Sequence, residues 1–276
     1  MRKSLLFIVI SLFLFMVGCG AEETSGSESK KEKVTEAKGV VAEEDIDKMY
    51  SDPKKYKGYE VELTGIVFNE PETDDDGVYF QMFADPVNSE KNTLVGITDT
   101  NVKVKTDDYV KLTGIVQDEF EGENAFGGVV KAPVIEATKL EVVDYVTAVA
   151  PAKYTIDINE EINQHGYHME LQKVEVADEE TRVYLKITNE SDATIDFYSF
   201  NAKLLAGNKQ LEENMPYLET GLPELQSEIL PGVETEGVII FPAIDESEKK
   251  LTFHAEGSSE NYELDYKPFT FEINID

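Results

Sequence analysis

A single thiol stands in the 276 residues, Cys19, in the stretch Met16-Val17-Gly18-Cys19-Gly20. A thiolate is the side chain best suited to alkylation, and with one cysteine no disulfide within the chain can form. Histidine is nearly as scarce: His165, His168 and His254. His165 and His168, with Glu170 close by, are weak candidates for metal ligands, since imidazole suits several divalent transition metals. Zinc needs three or four ligands, and two side chains spaced by three on a strand or loop do not converge as they would on a helix. The other metal-like string is Asp74-Asp75-Asp76-Gly77. With Gly77 in the sixth place of an EF-hand loop, Asp74 and Asp76 fall on ligand positions, which makes them the weak calcium candidates. Phe83 then occupies the twelfth place, where calcium needs a bidentate carboxylate. An Asp-Gly step between alternating runs reads instead as a hairpin turn. Tyr79, Phe80 and Phe83 could stack on a ligand, although aromatics at strand spacing more often fill a core. Phe126 lies in the glycine-rich stretch 122–128. Tyr79, Phe80 and Phe126 are therefore the candidate binding residues. No phosphate loop, HExxH, nucleophile elbow or Cys–His pair is present, and with 56 acids no carboxylate pair stands out. The expectation is a chain with no catalytic residues, no cofactor and no enzymatic activity.

The charge balance narrows the partners. Against 56 Asp and Glu stand 25 Lys and Arg, a net charge of −31. Such a surface repels nucleic-acid phosphates and attracts cations and basic partners. Its plainest consequence is solubility. Hydrophobic residues at 41% are enough to build cores, and at this length about two domains are expected.

Residues 1–20, MRKSLLFIVISLFLFMVGCG, begin with Arg2 and Lys3, continue apolar from Leu5 to Val17 except for Ser11, and end in small residues around Cys19. This is the layout of a secretory signal, and the apolar run is short for a membrane span of roughly 20 residues. Met16-Val17-Gly18-Cys19 resembles the lipobox of bacterial lipoproteins. The resemblance implies a signal peptide over 1–18, cleavage between Gly18 and Cys19, and a diacylglyceryl group with its palmitate-type chains on the Cys19 thiol. It places the chain on the outer face of a Gram-positive cell membrane, with the lipid as its membrane contact. Residues 19–39, dominated by Ser, Glu, Lys and Gly, read as a solvated tether.

The first folded unit is expected over 40–146. Ile46, Met49 and Tyr50 lie at helical spacing and Pro53 ends that helix. Alternating runs follow: YEVELTGIVF, VYFQMFAD, NTLVGIT and VIEATKLEVVD. An internal echo links Val61-Glu62-Leu63-Thr64-Gly65-Ile66-Val67 to Val110-Lys111-Leu112-Thr113-Gly114-Ile115-Val116. A glycine inside a strand marks a bend or bulge, so two such strands point to a small five-stranded barrel. The unit resembles an OB-fold in architecture. Many OB-folds bind oligonucleotides on a basic, aromatic face, but residues 40–146 hold 10 Lys and Arg against 24 Asp and Glu, and nucleic acid is not an expected partner.

A second unit is expected over 151–276, after Pro151. About seven alternating runs, among them RVYLKIT with Val183, Leu185 and Ile187 on one face, predict an antiparallel sandwich. VYLKITNESDATIDF followed by LPGVETEGVIIFPAI resembles an Ig-like domain of unknown function in Bacillus-type Gram-positive lipoproteins, with the mycobacterial immunoprotective antigen among its secreted relatives. That resemblance implies an extracellular sandwich and no catalytic residues. The chain is thus expected to be all-β, an OB-like barrel followed by an Ig-like sandwich. Its expected role is that of a non-catalytic binding or adaptor module for an envelope protein, peptide or cation. A calcium-sensing or cation-buffering accessory is the alternative, and an unrecognised hydrolase stands behind both.

Overall fold

The computed structural model describes residues 37–123, 127–215, 218–245 and 247–275. Its elements are overwhelmingly strands, and the all-β expectation holds. The helical pattern of Ile46, Met49 and Tyr50 becomes α1 (Ile46–Ser51), followed after Asp52 by a 3-10 turn over Pro53–Tyr56. Met49 is fully buried beneath it, a contribution of about 1.5–3 kcal/mol for a side chain of that size. Six strands follow: β1 (Glu60–Val67), β2 (Glu72–Thr73), β3 (Val78–Asp85), β4 (Glu90–Ile97), β5 (Tyr109–Glu123) and β6 (Val129–Val143).

The two echo segments pair with each other. β1 and β5 run antiparallel, with Val61 opposite Gly114 and Gly65 opposite Val110. β5 pairs with β6, β6 lies parallel to β4, and β4 pairs with β3. The order returns to β1 through a short contact, Ile66 opposite Phe83 and Val67 opposite Met82. Both echo glycines sit where the backbone crowds. A Cβ on Gly65 would lie 2.4 Å from the Phe83 carbonyl oxygen, and one on Gly114 would lie 2.5 Å from the Ile135 side chain. Gly114 also marks a shift in the β5–β6 register, the bulge that a mid-strand glycine predicts. The interior is filled by the alternate residues of each strand, among them Val61, Leu63, Phe80, Met82, Val110 and Leu112.

After α2 (Tyr145–Ala148) come β7 (Tyr154–Gln164), β8 (Tyr167–Val176), β9 (Glu180–Asn189), β10 (Ile195–Phe197), β11 (Lys203–Ala206), β12 (Lys209–Glu212), β13 (Glu228–Ile229), β14 (Glu234–Pro242), β15 (Lys250–Ala255), β16 (Gly257–Ser259) and β17 (Phe269–Asn274). They form three sheets, ordered β14-β9-β8-β7, β12-β11-β15-β17 and β13-β10-β16. One core joins them, with Val183, Leu185 and Ile187 buried as the alternation in RVYLKIT requires. Two alternating stretches do not form single strands. TIDFYSFNAKLLAG breaks into β10, a 3-10 turn and β11, and KLTFHAEG breaks into β15 and β16. In each case the second piece pairs in a different sheet from the first. The separated motifs ITN and LPG meet: the Gly232 N–H donates to the Asn189 carbonyl at 2.7 Å. The Asn189 side-chain amide donates to the Ile229 and Ala193 carbonyls at 2.7 and 2.8 Å.

A third, smaller cluster lies where the two cores meet. Tyr109, Tyr145, Ala150 and Ala177 are buried together, with Leu218 and Leu222 of the long β12–β13 loop packed against them. The Tyr109 hydroxyl donates to the Glu219 carbonyl at 3.1 Å. Beside this cluster lies Arg182, which alternation places on the outward face of β9 and which is nonetheless fully buried. Its guanidinium donates to the Ala150 carbonyl at 2.8 Å, to Glu180 at 2.5 Å and to Glu175 at 3.0 Å. Tyr145 donates to Glu180 at 2.7 Å, and Tyr184 and Lys173 donate to Glu175 at 2.8 and 2.5 Å. Residues from α2, the segment after it and the sandwich thus share one bonded network.

Candidate binding face

The period of two divides the aromatics of β3 between its faces. Val78, Phe80 and Met82 point inward, and Tyr79, Gln81 and Phe83 point outward. Phe80 is therefore corrected as a candidate: it is buried in the core formed by β1 to β6 and presents no surface to a ligand. Tyr79 is 40% exposed and sits opposite Gly96. The glycine leaves room for the ring, since a Cβ there would lie 3.2 Å from it. Further along, Phe83 stacks on Phe68, with ring centroids 4.0 Å apart and planes inclined by 17°. Between the aromatics lies a band of amides. The Gln81 N–H donates to Asn69 Oδ1 at 2.6 Å, and Asn92 Nδ2 donates to Gln81 Oε1 at 3.3 Å. Asn92 Oδ1 is left without a partner among the described residues.

Carboxylates border this uncharged strip. Partial burial raises the Tyr79 hydroxyl pKa, and the nearby charges of Asp74 and Asp76 raise it further. Aromatic faces beside negative charge suit cationic or apolar side chains, and repel phosphates. Phe68, Asn69, Gln81 and Asn92 were not singled out from the sequence. The signal that could have found them was the period of two in VYFQMFAD, carried onto the neighbouring strands.

The acidic turn is built as a turn. Asp74 Oδ1 accepts the N–H of Asp76 at 2.8 Å and of Gly77 at 3.0 Å, and Glu72 and Thr73 pair with Tyr79 and Val78. One oxygen of Asp74 thus holds backbone. The two histidines do not converge. His165 sits in a turn at φ 56° with its ring edge-on to Tyr266 at 5.6 Å. His168 lies on β8, its Nδ1 2.9 Å from Glu161 and its Nε2 3.0 Å from Glu190 and 2.9 Å from the Asn163 amide. Among the described residues no group of three or more His, Cys, Asp or Glu is arranged to hold a metal ion. No described helix is long and apolar enough to cross a membrane. Gly18, Cys19 and Phe126 lie outside the described residues.

Residues 22–149 match the family described as the DUF1980 C-terminal domain, a domain of unknown function. The match spans β1 to β6, and not the 167–256 stretch that carries the Ig-like resemblance. Among solved structures the chain is similar to a functionally unknown protein from Listeria monocytogenes EGD-e. The two share 10% identity over 48% of this chain and 92% of that chain, with a TM-score of 0.37. No curated protein matches.

Proposed function

We propose that the chain is a lipid-anchored binding module of the Gram-positive cell surface, held through Cys19, that captures a basic peptide or protein segment on the outer face of β3. The observation that carries the binding reading is the outward row Tyr79, Gln81, Phe83. It offers two aromatic surfaces and an amide band on a body otherwise dominated by acid. Side-chain amides supply donors and acceptors for an extended backbone, the rings take aliphatic or cationic side chains, and the surrounding carboxylates steer positive partners inward. The Ig-like unit, bonded to the barrel through Arg182 and Tyr145, acts as a rigid support in this reading. The lipid anchor rests on the lipobox resemblance around Cys19, and the sandwich's kinship to secreted Ig-like domains on the pieces ITN, LPG and GVIIF.

Titration calorimetry of the full chain with short synthetic peptides rich in Lys and aromatic residues tests the binding half, with acidic peptides of equal length as controls. Binding confined to the basic peptides, weakened by salt and lost in Tyr79→Ala, is expected. Equal heats from both peptide sets, or basic-peptide binding that survives Tyr79→Ala, would remove the face from consideration. The mass of the native protein tests the anchor: loss of residues 1–18 together with a diacylglyceryl addition on Cys19 is expected.

A further inference from the structure

The surface that carries Tyr79 and Gln81 does not end at β3. Strand register continues it sideways: Tyr79 lies opposite Gly96, Gly96 beside Glu136, and Glu136 opposite Ile115. Two residues along, Gln81, Leu94, Val134 and Asp118 form a second row. Residues paired across strands share a face of the sheet, so both rows lie on the outer face. Leu94, Val134 and Ile115 are half-buried and Gly96 adds no side chain, so an open apolar floor runs from β3 across β4 and β6 to β5. On its other side β3 is closed off, by β2 beside Tyr79 and by the Phe68 ring on Phe83. The two rows end differently in charge. Asp118 stands at the base of the two-stranded ribbon that β5 and β6 form beyond it, out to Glu123 and Val129. Its carboxylate is already paired with Lys57 at 2.8 Å. Glu136 is exposed and accepts from a neutral donor, Gln117 Nε2 at 2.7 Å, which leaves its charge unbalanced.

We infer that the partner is an extended segment that crosses these strands, with an apolar or aromatic side chain against Tyr79 and, three residues on, a lysine or arginine at Glu136. The inference names the ligand of the capture face proposed above and rests on that reading. Spacing and charge select this occupant. Tyr79 and Glu136 stand two strands apart, about 9.6 Å at a strand separation of about 4.8 Å. In a polyproline-type chain, residues three apart return to the same side after about 9.3 Å, so one segment reaches both. A β-conformation alternates its side chains, and same-side residues fall about 6.7 or 13.4 Å apart, short of the pair or beyond it. Charge fixes the polarity: over 40–146 the net charge is −14, Asp118 has its cation, and Glu136 at the far edge of the floor attracts one.

Titration calorimetry of the full chain with synthetic peptides of one composition tests the path. Each peptide carries a single Phe and a single Lys in a proline-rich frame, with the Lys one, three or five residues after the Phe. The three-residue spacing is expected to bind several-fold more tightly than the other two. Glu136→Gln keeps an acceptor for Gln117 and should erase that advantage while leaving the weaker peptides unchanged. Equal affinity across the series, lost in Tyr79→Ala, overturns the crossing path and leaves the capture face standing. A spacing preference that survives Glu136→Gln overturns the pairing at Glu136 and with it the inference. Should none of the series bind while the Lys-rich peptides above do, the path alone falls. If neither set binds, the capture face falls as well.

Discussion

Opposite ends of β5 and β6 carry two clusters of paired charge, and they differ in almost everything but residue type. At the joint, where β5 begins and β6 ends, Arg182 is fully buried and shared between Glu175, Glu180 and a backbone carbonyl. At the ribbon, Lys57 and Asp118 meet at 2.8 Å with more than half of each side chain exposed. Burial removes water as a competing partner, so each bond at the joint must be replaced by another protein group or lost outright. In the ribbon pair water is always ready to substitute. The joint fixes geometry, and the Lys57–Asp118 pair is free to exchange partners, whereas Glu119 beside it, nearly covered, is held by Lys54 and Lys131.

Breaking the joint should produce the largest effect. Arg182→Met leaves Glu175 and Glu180 short of their buried counter-charge, and a loss of about 3–5 kcal/mol is expected in urea unfolding. Adding Glu175→Gln and Glu180→Gln to that variant removes the stranded charges and should recover much of the loss; no recovery would mean that Arg182 acts through packing. Tyr145→Phe deletes only the hydroxyl that donates to Glu180 at 2.7 Å and should cost about 1–3 kcal/mol. It should also open the segment after α2 to limited proteolysis before the two cores unfold.

The same network sets the pH response. Burial works to raise the Glu175 pKa, but the hydrogen bonds from Lys173, Tyr184 and Arg182 outweigh it and hold the carboxyl below its ordinary range. A depressed carboxyl contributes stability above its unfolded pKa, and that contribution disappears as pH falls through the folded value. Tyr184 behaves in the opposite sense: burial, then its bond to Glu175, lifts the phenol from 10.0 to about 12. Its contribution is complete below pH 10.0 and is lost as pH rises toward about 12. Thermal melts should therefore fall at both extremes. The alkaline loss should follow tyrosine ionisation read at 295 nm and shrink in Tyr184→Phe.

Legibility from the sequence followed the range of the interaction. The echo glycines, the short helix ended by Pro53 and the alternation in RVYLKIT are local patterns, and each is found where periodicity places it. The period of two in VYFQMFAD already assigned Phe80 and Tyr79 to opposite faces, yet residue type alone kept both as binding candidates. Arg182 defeated the reading for a different reason. An arginine at an outward strand position normally meets water, and only the return of Ala150 over that face, with Tyr145 and the 218–222 loop beside it, makes it interior. The division of TIDFYSFNAKLLAG was likewise hidden, because which sheet a strand joins depends on partners far away in the chain.

The smallest effect is expected at the ribbon, and it is the sharpest test of the contrast. Lys57→Ala removes the partner of Asp118, yet both side chains keep their water, so the unfolding midpoint should match that of the parent within error. Hydrogen bonding to Lys57 and to the Glu119 N–H lowers the Asp118 pKa, and this shift should shrink in the variant, as carboxyl titration by NMR would read. A midpoint that drops as it does for Arg182→Met would mean that the ribbon is built into the barrel as tightly as the joint is. Partner exchange by Lys57 would then carry a cost that the geometry at Asp118 does not suggest. An unchanged midpoint with a changed titration is the outcome that keeps the two clusters apart: the same charges, with their energetic weight decided by access to water.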